Sequence, residues 1–233
     1  LVPDDSTAAH TPGTHVPTAH SAAFSSAPPT SYCVELFSGT ASALRYHSRD
    51  PHARLLAVDC MPKPMFLSLL PPRLHNRVTY YRCDLASLTP DKYARILRTT
   101  LGITPDMVTH VHASPPCESL SIASRGKATI PHFVRGRANS PTAIAHLAML
   151  ITVLNTLDAC HPSGSGTTVS VESPVGRFRR LPIVLACAKR PGWTMFQADH
   201  CMLASYLDDD PEFARKPTTY LCRNAASGAA ALA

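Results

Sequence analysis

From residue 31 onward, short apolar stretches of strand length alternate with longer stretches of helical pattern, and nearly every strand-like piece runs out into a small or reactive residue. A strand is predicted over 31–37, followed by the turn Ser38-Gly39-Thr40 and a helix over 41–48. A second strand over 54–58 ends at Asp59, and a third over 78–82 ends at Cys83-Asp84, with a helix over 63–70 between them. The helix over 91–100 has Asp91 near its start and Gly102 past its end, the usual order of start and stop signals. A strand over 107–113 runs into Ser114-Pro115-Pro116-Cys117, a long helix is predicted over 141–160, and a strand over 167–171 runs into Glu172. A helix over 181–189 and strands over 194–198 and 218–222 complete the series. Parallel neighbours need a crossover that a helix supplies, so this alternation predicts a Rossmann-like α/β fold: a mostly parallel sheet with helices on both faces. Ligands of such sheets sit beyond the carboxyl ends of the strands. Ser38, Gly39, Asp59, Asp84, Cys117 and Glu172 all fall at those ends and therefore share one rim.

The flanks differ in kind. Residues 1–30 are mostly Ala, Ser, Thr, Pro and His, too poor in large apolar side chains to offset their ordering entropy, so a disordered arm is expected there, a domain over 31–224, and a flexible tail over 225–233. The first residue is Leu1, as in a piece of a longer protein. Lys and Arg number 22 against 16 Asp and Glu, a net charge of +6 that suits a polyanionic partner through counterion release. The 8 cysteines include no Cys-x-x-Cys pair, so the expectation is reduced thiols in an intracellular protein and no metal site. No apolar run suggests a membrane span, and no signal-peptide pattern is present.

Two halves of the rim suggest two tasks. The turn Phe37-Ser38-Gly39-Thr40 lets a ligand approach the backbone and the following helix N-terminus. Asp59 is placed to accept from ribose hydroxyls, and Asp84 from an adenine amino group; with no Walker-type lysine after the turn, a nucleoside fits better than a polyphosphate. On the other half, Pro115 and Pro116 stiffen the loop that presents Cys117. A free thiol is only a few per cent ionised near neutrality, so it needs an activating neighbour, for which Arg125 and Lys127 are candidates. Glu172, in an apolar setting, is expected to hold a raised pKa and to donate a proton. One thiol and one acid suit attack on an electron-poor ring with protonation of a ring nitrogen, as for cytosine.

The stretches ELFSGTAS, SPPCESLSIAS and VESPVGRFRRLP, in that order, together with Arg215-Lys216-Pro217-Thr218, resemble the motifs of cytosine carbon-5 DNA methyltransferases over about residues 32–224. The resemblance implies S-adenosylmethionine as cofactor, held by Phe37, Ser38, Gly39, Thr40, Asp59, Asp84 and Pro115, with Cys117 as covalent nucleophile and Glu172 at the ring nitrogen. It also implies a flipped-out target base. Ala41, Glu118 and Ser173 stand where the family more often has Gly, Gln and Asn, and its Gln-x-Arg-x-Arg segment has no counterpart. Arg125, Lys127, Arg135 and Arg137 on the stretch after the nucleophile, with Arg177, Arg179 and Arg215, are the candidates for contacts to nucleic acid. The residues after Pro174 are too few for a separate recognition domain, so sequence preference is expected from a partner or another region. Three alternatives stay open: cytosine in RNA as substrate, a non-catalytic nucleic-acid-binding scaffold, and an unrelated Rossmann-like enzyme in which Cys117 is structural.

Overall fold

The computed structural model describes residues 29, 31–39, 41–121, 132–134, 137–199 and 217–224. Residues 1–28 and 30 of the expected arm and the tail over 225–233 lie outside them. Strands β1 (Ser31–Leu36), β2 (Ala53–Asp59), β3 (Val78–Arg82), β4 (His110–Ala113), β7 (Thr168–Pro174), β8 (Trp193–Asp199) and β9 (Pro217–Arg223) form a seven-stranded sheet in the order β3-β2-β1-β4-β7-β9-β8. The strands from β3 to β7 are parallel, while β9 runs antiparallel to both β7 and β8. The chain lays β2 and β3 to one side of β1, then crosses to place β4 on the other side. The switch in direction opens a crevice between the ends of β1 and β4.

The period-2 alternation of each strand divides the core. Cys33, Leu55 and Ala57 face helices α1 (Ser42–His47) and α2 (Lys63–Leu69), whose Leu44 and Phe66 are buried there. Val34, Leu36, Leu56, Val58, Val111, Val169, Val171 and Leu221 face the opposite side, against α3 (Pro90–Leu101), α4 (Pro141–Cys160) and α5 (Pro182–Ala188). The sheet is covered on both faces, and the Rossmann-like α/β class read from the sequence is the observed one.

Local chemistry fixes the helix ends. Thr89 accepts from the Lys92 amide and Pro90 opens α3, which Gly102 ends at φ 71°; Ser140 accepts from the Ala143 amide and Pro141 opens α4. Helix α4, at 20 residues, is long and apolar enough to cross a membrane, although its apolar residues form no unbroken run. Its buried residues, Ala143, Leu150, Val153, Leu154, Thr156 and Leu157, form the face that packs into the core beside α3. Two boundaries and one element also differ from expectation. β4 begins at His110 because Pro105–Met107 forms one turn of 3-10 helix. β7 continues to Pro174 because β9 pairs with it that far. A two-stranded hairpin, β5 (Phe133–Val134) with β6 (Arg137–Ala138), stands within the stretch expected to be a loop.

His161, fully buried just past α4, has its Nε2 3.1 Å from the Tyr93 hydroxyl. Burial, helped by the nearby Arg223 charge, pushes its pKa down to about 4 from 6.5. The unfolded chain therefore binds the extra proton first, and stability present above pH 6.5 is lost as the pH falls towards 4. Urea unfolding is expected to lose on the order of 3 kcal/mol less across that window in His161→Gln than in the wild type. Equal losses in the two proteins would exclude His161 as the source.

Candidate active site at the carboxyl ends of the strands

The turn between β1 and α1 is bent into an unusual backbone shape. Phe37, Gly39 and Ala41 have φ values of 57°, 43° and 55°, a left-handed region that costs an ordinary L residue about 1 kcal/mol and glycine almost nothing. Strain of this kind persists where the surroundings enforce it. Here Asp59, at the end of β2 and only 8% exposed, accepts from the Gly39 amide at 3.0 Å with one carboxylate oxygen and from the Met61 amide at 3.0 Å with the other. Beneath the turn the buried Glu35 accepts from the Ala43 and Leu44 amides at 3.3 and 3.0 Å, tying β1 to the start of α1. Burial pushes the Glu35 carboxyl up to about 8, against the lowering effect of those two amides. Ser38 is buried, and its hydroxyl has no hydrogen-bond partner among the described residues.

Across the crevice, the Ser114 amide donates to the Leu36 carbonyl at 3.2 Å, so the loop after β4 starts beside the turn after β1. Pro115 is buried and Cys117 half-buried. The Cys117 carbonyl accepts from the Leu120 and Ser121 amides, both at 2.9 Å, which closes a tight turn around the cysteine. Two further contacts bind this turn to the segment that follows β7. Ser121 bridges to Gly176, and the Arg177 amide donates to the Leu120 carbonyl at 2.8 Å. Ser119, buried, meets His146 Nδ1 of α4 at 3.1 Å. The cysteine turn is thus held from two sides.

Glu172 sits on β7, one residue past the Ala113↔Val171 pair, and is 9% exposed. It lies inside the strand, not beyond its end as the sequence suggests, because β9 pairs with β7 as far as Pro174. Strand register supplies neighbours that no motif announces. His112 Nε2 approaches the Glu172 carboxylate at 3.8 Å and Ser114 Oγ at 3.0 Å, while its Nδ1 meets Ser170 Oγ at 2.8 Å. Tyr220, opposite Glu172 on β9, donates its hydroxyl to that carboxylate; burial and the Glu172 charge push the phenol well above its ordinary range. The acid is therefore oriented by a phenol on one strand and approached by an imidazole on another. The only trace of these partners in the sequence is alternation: His112 stands two residues before Ser114, on a strand of known phase.

The other candidates are scattered. Phe37 is half-buried against the core. Asp59 braces the glycine turn with one backbone hydrogen bond to each oxygen, and each oxygen keeps a second lone pair. Asp84 is exposed, and its carboxylate caps the one-turn helix Leu85–Ser87 through the Ala86 amide at 3.0 Å. Arg137 is exposed on β6, and the Arg177 guanidinium lies 4.9 Å from the centre of the Phe133 ring on β5, so the hairpin and the segment after β7 meet. Arg179 is half-buried in the short helix Phe178–Arg180. Thr40, Arg125, Lys127, Arg135 and Arg215 lie outside the described residues.

Neither a protein-family model nor a curated protein matches the chain. Solved structures with a similar course of the backbone include TrmN from Thermus thermophilus, at 15% identity and a TM-score of 0.44, covering 84% of this chain and 45% of that one. The chain thus spans less than half the length of that protein. A variant of the 16S rRNA (adenine(1408)-N(1))-methyltransferase with cosubstrate SAM from Catenulisporales acidiphilia follows at 11% identity and a TM-score of 0.42, covering 84% of this chain and 85% of that one. Precorrin-6y C5,15-methyltransferase from Geobacter metallireducens GS-15 matches at 12% identity and a TM-score of 0.43, covering 85% of this chain and 83% of that one.

Proposed function

We propose that this chain transfers a methyl group from S-adenosylmethionine to carbon 5 of cytosine in DNA. The observation that carries the reading is the attachment of the Cys117 turn to the segment following β7, the strand that bears Glu172, beside the strained turn after β1. The residues present fit a nucleoside cofactor: the buried Ser38 hydroxyl lacks a partner among the described residues, and Gly39 offers backbone that no side chain covers. Ser38, Gly39, Asp59 and the exposed Asp84 are the groups that would hold it, with Phe37 and Pro115 on the adjoining loops. Bound there, the cofactor supplies an electrophilic methyl group to an activated carbon 5.

The remaining chemistry belongs to the chain. The Cys117 sulfur adds to carbon 6 of the ring, and Glu172 protonates the ring nitrogen so that electron density gathers at carbon 5. Once carbon 5 is methylated, its proton passes to water, the carbon 6–sulfur bond breaks to return the Cys117 thiolate, and the ring nitrogen gives its proton back to Glu172, which restores the aromatic ring. Tyr220 and His112 act on the acid rather than on the base, holding its carboxyl group in one orientation. The test is incorporation of labelled methyl from S-adenosylmethionine into cytosine-containing DNA and RNA by the full chain. Label in DNA at carbon 5 supports the reading. Label in RNA alone reassigns the polymer, and absence of label from both despite cofactor binding overturns it.

Arg137, Arg177 and Arg179 are proposed to meet backbone phosphates around the extruded base. Arg137→Ala is expected to weaken DNA binding about equally for all sequences and to reduce the slope of log affinity against log salt by about one. An unchanged slope would remove Arg137 from the interface.

A further inference from the structure

We infer that Cys33, His47 and His110 form a binding site for a zinc-class divalent metal ion, built at the amino-terminal half of the sheet and separate from the rim that carries Cys117 and Glu172. The donors come from three elements. Cys33 on β1 and His110 on β4 are paired neighbours in the parallel register, so both side chains leave the same face of the sheet. Helix α1 returns over that face, and its last residue, His47, comes down beside them. The three potential ligand atoms all lie within 4.8 Å of one another. Cys33 Sγ is 3.9 Å from His110 Nδ1, and the two imidazole centres are 4.6 Å apart.

These spacings suit a small metal ion. Zinc takes thiolate sulfur at about 2.3 Å and imidazole nitrogen at about 2.0–2.1 Å, which places ligand atoms of a tetrahedral site roughly 3.3–3.7 Å from each other. Shifts of a few tenths of an ångström to about 1 Å would close the observed cluster onto an ion. One sulfur and two imidazoles favour zinc over magnesium or calcium, which prefer oxygen donors. Cys33 is buried, whereas both histidines are half-buried, leaving a route from solvent and a fourth position for water. In the metal-free protein Thr109 Oγ1 lies 3.0 Å from His110 Nδ1, a contact that binding exchanges for the metal. On binding, the Cys33 S–H bond breaks, the sulfur–metal bond forms and the proton passes to water, with no change of oxidation state.

The spacing rule that predicts no metal site searches for paired cysteines close in sequence. This cluster escapes it because α1 and two neighbouring strands each contribute one donor. A bound ion would pin α1 to β1 and β4 below the turn that carries Ser38.

The test is titration of the chelator-treated full chain with cobalt(II), whose thiolate charge-transfer absorption reports a cysteine ligand and whose visible bands report tetrahedral geometry. One equivalent of cobalt per chain, displaced by zinc, is expected. Cys33→Ser should lose the charge-transfer band, His47→Ala should bind at least about 10-fold more weakly, and Cys60→Ala, which removes an exposed thiol, should bind as the wild type does. Zinc should also raise the thermal midpoint of the wild type and not that of His47→Ala, a readout independent of whether Cys33→Ser folds. No charge-transfer band in the wild type overturns the site. So does a band that persists at full affinity in both Cys33→Ser and His47→Ala, because other cysteines or His10, His15 and His20 would then be the ligands.

Discussion

Cys117→Ser is expected to lower the rate of methyl transfer by about four orders of magnitude or more, as loss of an enzyme's nucleophile generally does. A serine hydroxyl is close in size to the thiol, so the turn closed by Leu120 and Ser121 onto the Cys117 carbonyl, the bridge from Ser121 to Gly176 and the Ser119–His146 contact should all survive. What is lost is the more nucleophilic and more readily ionised sulfur, since a hydroxyl stays protonated and adds poorly to an unactivated ring. The decisive readout uses DNA containing 5-fluorocytosine, in which the fluorine at carbon 5 cannot leave as a proton does. The wild type with cofactor should form an adduct that resists denaturation, and Cys117→Ser should form none. An adduct of undiminished yield in the variant would show that another group adds to the ring. Glu172→Gln offers a companion measurement. It keeps the contact with Tyr220 and removes the proton donor, so adduct formation should slow without loss of cofactor affinity.

Asp158→Ala is expected to destabilise the fold by about 3 kcal/mol, far more than removal of an ordinary exposed ion pair, because it strands a buried charge. Arg223, the last residue of β9, is 1% exposed. Its guanidinium donates to Asp158 at 3.0 Å and to the Leu157 carbonyl at 3.1 Å, and lies 4.9 Å from the centre of the Trp193 ring. It thereby joins β9 and β8 to the carboxyl end of α4, where a cation also complements the helix dipole. Asp158 additionally binds Arg190 at 2.5 Å near the surface. With the aspartate gone, Arg223 keeps one carbonyl and one ring face, and its Nε already lacks a partner among the described residues. Arg223→Met, which retains bulk and discards the charge, should cost less than Asp158→Ala. Urea unfolding of both variants checks the ordering. A loss below about 1 kcal/mol in Asp158→Ala would place the pair in the class of screened surface contacts.

The elements themselves were legible because each is written in local chemistry. Alternation marked β1, β2 and β3 to within a residue or so, proline and Gly102 marked helix ends, and the run into Ser114-Pro115-Pro116-Cys117 marked the loop after β4. The end of the sheet at which the Ser38–Gly39 turn and the Cys117 loop lie followed from the parallel pattern alone. The fate of particular side chains did not follow. Asp59, read as a ribose ligand, also braces Gly39 and Met61, because β2 ends beside the turn after β1. Glu172 looked like a residue beyond a strand, yet β9 extends the pairing past it and brings Tyr220 opposite.

The sequence by itself therefore determined which segments become strands and helices, and that Cys117, Glu172 and the Ser38–Gly39 turn belong to one rim, since periodicity, turn residues and chain direction are local properties. Only the tertiary structure decided that His112 and Tyr220 flank Glu172, that Arg223 is buried against Asp158, and that Cys33, His47 and His110 converge. Those pairings depend on strand order and register. Both are set by burying apolar surface across the whole sheet at once, so no single stretch of residues encodes them.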